Sequence, residues 1–171
     1  HEPYRGVKLT SEGKRIALDV IRKHRLAECL LTDVLKAEWS SVHEDACKLE
    51  HALTKNVADL LDERLGHPKF CPHGNPIPTK NGVVEEQTCI ALTEVNLGKT
   101  YLVGSIIDEE RANLQLLAEK KIKPNAKVQV VKRNADEVVL CVEGKECCLS
   151  RGLAANVLLR KTRRTIHAVE T

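Results

Sequence analysis

The nine-residue segment HEDACKLEH, residues 43 to 51, is rich in side chains of the types that bind transition metals. His43, Cys47 and His51 follow one another at intervals of four, and Glu50 precedes His51, so a helix would place all four in one narrow stripe. Imidazole, thiolate and carboxylate groups are the usual protein ligands of first-row divalent metals. A solvated helix face would more commonly carry Lys, Glu and Gln. The pattern therefore predicts a metal site on this helix.

A second pair of candidate ligands lies upstream, where His24 and Glu28 are four residues apart in HRLAE. Two such stripes that face each other would build one metal site or two adjacent ones. A single His in a helix is more often structural, whereas six ligand-type residues at turn spacing on two helices favour metal binding. Two alternatives stay open: Cys47 as a buried thiol that binds nothing, and His51 as a surface residue.

Three more ligand-type residues, His67, Cys71 and His73, lie in the loop HPKFCPHGNPIP, of which four of twelve residues are Pro. Pro excludes a regular helix or a central strand here. For this segment we favour an ordered loop that packs against the helices over a metal site.

Composition limits the classes of function. The 171 residues suffice for one large or two small domains, and the net charge of +3 is too small to indicate nucleic-acid binding by itself. The sequence has no apolar run of about 18 residues, so we expect no membrane partner. Seven Cys, an odd number without a CxxC pair, favour a reduced, cytoplasmic setting. Because the chain begins at His1 and contains no Met, we expect a further module upstream.

The first half of the chain has helical periodicity. Thr10 or Ser11 is placed to cap a helix that continues to about residue 37, either as one helix or as two with a bend near His24. A second helix, with a capping box formed by Ser41 and Glu44, is predicted to run to about residue 53. Residue 54 would cap a third helix that ends at residue 66.

The second half is rich in Val, Ile and Thr with period-2 alternation. We predict strands near 100–107, 127–133, 137–142, 145–149 and 160–169, with a hairpin turn at Glu143-Gly144. Asp108 is expected to cap a short helix through Leu117, and residues 150–157 to form one or two helical turns. Short strands with little helix predict a small β-barrel.

Three segments, IRKHRLAECLLTDVL, VHEDACKLEHAL and CPHGNPIP, together resemble the diphtheria toxin repressor family. Members of that family are iron- or manganese-dependent transcriptional repressors. The resemblance implies an α+β fold in which a helical dimerisation and metal-binding domain precedes a small SH3-like β-barrel. It implies a remnant of a winged-helix domain at 1–9, the helical domain at 10–78, a linker at 79–88 and the FeoA-like barrel at 89–171.

The resemblance also implies ligand sets by position. The family's ancillary metal site falls on His24, Glu28 and His43, and its primary site on Cys47, Glu50 and His51. The family adds a ligand from the winged-helix domain, usually a Met. Its barrel sometimes supplies a carboxylate and a Gln to the ancillary site; here the carboxylate would be Glu109 or Glu110, while Ala112 or Asn113 stands where the Gln would be. A small anion site would fall on Arg25 and Asn75, with Cys71 in place of a Ser.

The expected cofactor is a divalent transition metal. A thiolate at residue 47 favours Fe²⁺, Co²⁺, Ni²⁺ or Zn²⁺ over Mn²⁺, and members with Cys at this position resemble iron sensors, so we expect Fe²⁺. The implied function is that of a repressor, not an enzyme, which works as a homodimer and binds operator DNA through the upstream domain. The alternatives are a metalloenzyme with an open coordination position and a metal-buffering protein.

Overall fold

The computed structural model describes residues 8–161. The chain divides into two compact units, residues 1–86 and 87–171. The first is helical and the second is built on a sheet. Among the described residues, no helix has the length and apolar character needed to cross a bilayer.

The helical unit begins with α1, Ser11–Cys29, which is continuous through His24. The Thr10 hydroxyl caps it by accepting a hydrogen bond from the amide of Gly13 at 3.0 Å, as predicted. No second helix starts near His24. The chain instead changes to a π-helix at Leu30–Val34.

The second helix, α2, covers only Val42–Leu49. The prediction that it runs to residue 53 is wrong, because the chain leaves the helix in a turn at residues 50–52. The predicted capping box is also absent. The Ser41 hydroxyl donates to the carbonyl of Glu38 at 3.0 Å and makes no capping hydrogen bond to α2.

The third helix, α3, covers Lys55–Arg64. The Thr54 hydroxyl accepts from the amide of Val57 at 3.3 Å, and Gly66 follows the helix with a φ of +75°, so both predicted ends are confirmed. Two apolar clusters hold the unit together. One joins α1 to α3 and the loop, and the other joins α1 to α2; the residues are Leu26, Cys29, Ala58, Cys71 and Ile77 in the first, and Ala27, Leu31, Val42 and Ala46 in the second.

The second unit contains one antiparallel sheet in the order β1-β6-β2-β3-β4-β5. The strands are β1 Ile90–Ala91, β2 Thr100–Ile106, β3 Lys127–Arg133, β4 Glu137–Val142, β5 Lys145–Ser150 and β6 Val157–Lys161. β1 was not predicted, and residues 162–169 of the predicted last strand lie outside the described residues. The edge strands β1 and β5 do not pair within residues 8–161, so the sheet is not closed into the predicted barrel.

Local signals set most of the connections in this unit. Glu143 and Gly144 have φ of +49° and +80° and form the predicted hairpin turn between β4 and β5. The short helix α4, Arg111–Glu119, starts after Glu110 and not at Asp108, whose carboxylate accepts from the amide of Glu110 at 3.1 Å. The last helix, α5, covers Arg151–Ala155, within the range predicted for it.

Candidate metal centre

The site is built around the carboxylate of Glu28, which is fully buried in α1. His24 lies one turn earlier on the same helix, and its Nε2 is 3.2 Å from Oε1 of Glu28. A buried carboxylate carries a large desolvation cost unless charges or ions compensate it. Glu28 therefore marks a position where the fold is built to hold a charged group.

The start of α2 brings a second imidazole to the same carboxylate. Nδ1 of His43 lies 3.2 Å from Nε2 of His24 and 3.6 Å from Oε1 of Glu28. One ligand atom from each of the three residues lies within 4.8 Å of the other two. The α1–α2 cluster positions them, since Ala27 and Val42, both fully buried, are each next in sequence to one of these ligands. The structure thus brings together the three residues of the predicted ancillary set.

The ring of His24 is oriented by a second carboxylate. Its Nδ1 lies 2.7 Å from Oε2 of Glu50, so that nitrogen donates its proton to Glu50. Nε2 faces Glu28 and His43; it donates to Glu28 when the ring is protonated and offers its lone pair to an ion when the ring is neutral. A His that donates one ring N–H to a carboxylate and offers the other nitrogen to an ion is the usual arrangement in metal sites.

The electrostatics of the cluster favour ionised groups. Burial alone raises the pKa of Glu28, but the hydrogen bonds from His24, His43 and His73 and the charge of His73 hold that pKa well below its ordinary value. Burial lowers the pKa of His24, yet the hydrogen bonds and charge of Glu28, with the hydrogen bond of Glu50, outweigh it and raise that pKa.

The residues fit a divalent cation. Oε2 of Glu28 is buried and has no hydrogen-bond partner among the described residues. A buried carboxylate oxygen without a partner is rare in native proteins. A cation beside Glu28 and the imidazole nitrogens of His24 and His43 would satisfy it with the donor set that first-row metals prefer.

The predicted primary set does not converge in this structure. Sγ of Cys47 lies 3.7 Å from Nε2 of His43, and within the described chain it groups with His24 and His43 and not with the other two residues of its set. Glu50 is directed towards His24, and His51 is 77% exposed with Nε2 3.4 Å from Oε1 of Glu50. The physical reason is the early end of α2, which removes residues 50 and 51 from the helical stripe that their spacing predicted.

His73 is the residue that the sequence analysis undervalued. It is fully buried, with Nδ1 3.0 Å from Oε1 of Glu28 and Nε2 3.0 Å from the carbonyl oxygen of Trp39. Ligand atoms of Glu28, Cys71 and His73 also lie within 4.8 Å of one another. The loop packs on the helices as predicted, but it does so by placing an imidazole on Glu28. The sequence signal that was available is the pair Cys71 and His73, two ligand-type residues two positions apart. Nothing in this pair specifies a contact with Glu28, which lies 45 residues earlier in the chain than His73.

The other candidates are placed as follows. His67 is exposed and lies 3.3 Å from a carboxylate oxygen of Asp62. Arg25 donates to the carbonyl of Pro76, next to Asn75 in the loop. Glu109 and Glu110 belong to the second unit, immediately before α4.

Two family models match the chain. Residues 10–79 match the family described as iron dependent repressor, metal binding and dimerisation domain. Residues 90–161 match the FeoA domain. Together they cover both structural units, the helical bundle and the sheet.

Curated relatives of this chain are named as repressors, in keeping with the description of the matched family model. The iron-dependent repressor IdeR of Mycobacterium tuberculosis is 33% identical over 157 residues, which cover 83% of this chain and 67% of the relative. The diphtheria toxin repressor of Corynebacterium diphtheriae is 29% identical over 92% of this chain and 74% of its own length.

Among solved structures, a manganese-dependent transcriptional repressor in complex with manganese superposes with a TM-score of 0.86 at 30% identity, over 92% of this chain and 76% of that one. The IdeR of T. acidophilum gives a TM-score of 0.84 at 30% identity, over 95% and 76%. The predicted α+β fold, a helical metal-binding and dimerisation domain followed by an SH3-like domain, is thereby confirmed, with the sheet open. The chain belongs to the diphtheria toxin repressor family of metal-dependent transcriptional repressors.

Proposed function

We propose that this chain is the metal-sensing and dimerisation portion of a transcriptional repressor. The observation that carries the proposal is the fully buried carboxylate of Glu28, which three imidazoles from α1, α2 and the Pro-rich loop surround. The matched family description and the names of the relatives support a regulator over a metalloenzyme or a metal buffer. A divalent ion would supply the positive charge that fixes the ligand-bearing elements against one another.

The ion would be held by His24, Glu28 and His43. The set Cys47, Glu50 and His51 stays a prediction of the family resemblance, as does a carboxylate from Glu109 or Glu110. We propose Fe²⁺ as the physiological metal, because Cys47 offers a thiolate and relatives that are 33% identical over 67% of their own length are named iron-dependent repressors. Mn²⁺, Co²⁺, Ni²⁺ and Zn²⁺ suit the same nitrogen and oxygen donors.

The helical unit would form a homodimer. It exposes several large apolar side chains that its own core does not cover, namely Ile16, Val34, Leu35, Val57 and Leu60, each more than 40% exposed. Exposed apolar side chains that form a patch mark protein–protein contacts, and the family model that matches this unit is described as a dimerisation domain. The boundaries proposed from the resemblance are 10–78 for this domain, 79–88 for a linker and 89–171 for the FeoA-like domain.

Metal binding would act through a coupling free energy. An ion that favours one arrangement of the repressor shifts the equilibrium only by its differential affinity, typically about 1–3 kcal/mol. Repression follows where the favoured dimer matches two operator half-sites about one helical turn apart or a multiple of it. DNA contact would come from a winged-helix domain, and the site of action would be the cytoplasm.

A chimera tests this function. The chain would be joined behind the winged-helix domain of a diphtheria toxin repressor, and retention of that repressor's operator DNA measured anaerobically with and without Fe²⁺. We expect Fe²⁺ to increase retention and His24→Ala to abolish that increase, while His67→Ala, an exposed His outside the cluster, behaves like the parent. Retention that is equal with and without metal would contradict the proposal.

A further inference from the structure

We infer that Glu28 is a ligand shared by two metal sites that cannot be filled at the same time, so that one ion chooses between them by its chemical softness. The inference rests on the proposed metal-sensing function and adds to it a mechanism of metal discrimination. The nitrogen site is His24, His43 and Glu28. The thiolate site is Cys71, His73 and Glu28.

Each site has three candidate ligands within the helical unit. In each, the three residues offer ligand atoms that lie within 4.8 Å of one another, and Glu28 is the one residue of this unit that belongs to both. The two His of the nitrogen site and the two residues of the thiolate site approach Glu28 from different elements, the former from α1 and α2 and the latter from the loop. Oε1 of Glu28 is within 3.6 Å of all three imidazoles.

The thiolate site is held ready by Trp39. The carbonyl of Trp39 can only accept, so Nε2 of His73 donates to it, while Nδ1 faces the carboxylate of Glu28 and donates to it whenever the ring is protonated. A divalent ion bound by Nδ1 would take the place of that proton beside the Glu28 carboxylate, from whose Oε1 the nitrogen lies 3.0 Å. The indole Nε1 of Trp39 donates to the carbonyl of Pro72 at 2.9 Å and so fixes the loop between Cys71 and His73.

Electrostatics decides between double and single occupancy. Two-metal sites place their ions about 3.5–4 Å apart, and two divalent ions repel four times as strongly as two unit charges. At that separation the repulsion lowers the affinity for the second ion about a thousandfold, even at the dielectric constant of water. Within the helical unit these ligands carry two negative charges, on Glu28 and the Cys71 thiolate, against the four positive charges of two divalent ions. Glu28 is fully buried, so water does little to screen the repulsion.

The two sites differ in the metals that they prefer. Two imidazoles and a carboxylate accept Mn²⁺ and Fe²⁺, whereas a thiolate selects Zn²⁺ and Co²⁺. A thiophilic ion at the thiolate site takes Glu28 away from the nitrogen site. The chain therefore distinguishes metals by the site at which they bind.

The test uses the full chain with Cys47→Ala and His51→Ala, so that the third predicted ligand set does not contribute. Co²⁺ and Mn²⁺ are added anaerobically, and bound metal is counted by equilibrium dialysis. Two spectra report the position: thiolate-to-cobalt charge transfer for Cys71, and quenching of Trp39, the single Trp of the chain, whose ring lies 4.9 Å from that of His73.

We expect one Co²⁺ per chain, with charge transfer and quenching, and one Mn²⁺ per chain that Co²⁺ displaces. Cys71→Ala should remove the charge transfer but still bind one Co²⁺, now at the nitrogen site. His73→Gln, which keeps a donor for the Trp39 carbonyl, should also remove the charge transfer if Cys71→Ala proves unfolded by circular dichroism. Glu28→Gln should lower the affinity for both Co²⁺ and Mn²⁺ by about 10- to 100-fold or more. His67→Ala, in the same loop but exposed, should match the parent.

Two ions per chain with affinities within a thousandfold of each other would overturn the inference. So would a single Co²⁺ without charge transfer, because it would leave the thiolate site without a role. In both cases the nitrogen site and the proposed function would stand. Binding of neither metal would overturn both.

Discussion

Arg22 connects α1 to α3 through a buried pair of salt bridges, and replacing it with Ala should strongly destabilise the helical unit. The side chain is 4% exposed; its guanidinium donates a hydrogen bond to Asp62 at 3.0 Å and forms an ion pair with Asp59, with Nη1 2.9 Å from Oδ1. Breaking a buried ion pair by removing one partner costs about 3–5 kcal/mol. The side chains of Asp59 and Asp62 are 41% and 23% exposed, so their carboxylates regain water when the Arg is lost. We therefore expect the free energy of unfolding to fall by about 3 kcal/mol, the lower end of that range.

Trp39 gives a clean assay, because it is the single Trp of the chain and lies in the helical unit. Urea unfolding followed by its fluorescence therefore reports this unit alone. With a slope of about 1.5 kcal/mol per molar, the midpoint for Arg22→Ala should fall by about 2 M.

Arg15→Ala is the matched control on the same helix, since Arg15 pairs with Glu12 and both side chains are more than 60% exposed. Exposed pairs contribute little, so this variant should unfold with the parent. A loss below about 1 kcal/mol for Arg22→Ala, or equal losses for the two variants, would refute the argument that the buried pair holds α1 to α3.

Two further predictions concern stability. Thr54→Ala removes the cap of α3 and should lower the free energy of unfolding by about 1 kcal/mol in the same urea assay. Thr54→Ser keeps the hydroxyl and should unfold at the midpoint of the parent. An unchanged midpoint for the Ala variant would contradict a stabilising role of this cap. Burial raises the pKa of Cys29 from 9.0 to about 12, so its neutral thiol stabilises the fold fully below about pH 9. That stabilisation should be lost between about pH 9 and 12, by up to about 4 kcal/mol. Between about pH 9 and 12 the unfolding free energy of Cys29→Ala should fall less steeply than that of the parent. If the two curves of unfolding free energy against pH are parallel, the conclusion that burial raises the pKa of this thiol is wrong.

Local sequence signals predicted the local structure well. The caps at Thr10 and Thr54 and the hairpin at Glu143-Gly144 were correct because each depends on contacts within three or four residues. The Ser41 capping box failed although its sequence fits the motif. Its hydroxyl instead donates to the nearby carbonyl of Glu38, and sequence alone does not rank this local hydrogen bond against the cap, in which the hydroxyl would accept from a backbone amide.

The ligand positions show the same limit. Helical spacing correctly placed His24 and Glu28 on one face of α1, because a regular helix extends the periodicity of the sequence into space, whereas the family resemblance added His43 from α2 to this pair. The same argument placed His51 in the stripe, and there it failed because α2 ends at Leu49. Periodicity predicts where a side chain lies only as long as the helix continues.

The contact of His73 with Glu28 spans 45 residues and depends on the path of a Pro-rich loop. No periodicity describes such a loop, so its residues could be recognised as ligand types but not placed. Arg22 is a similar case, since its two Asp partners lie on α3 and only the packing of α1 against α3 brings them together.

The most direct test of the account is calorimetric titration of the chain with Fe²⁺ under anaerobic conditions, repeated on His24→Ala and on Cys47→Ala. We expect the parent to bind Fe²⁺ and His24→Ala to lose the ion at Glu28. Cys47→Ala should keep that ion and lose any site that depends on its thiolate. His67→Ala should titrate like the parent. Fe²⁺ binding that is unchanged in His24→Ala would contradict the assignment of the metal to the cluster around Glu28.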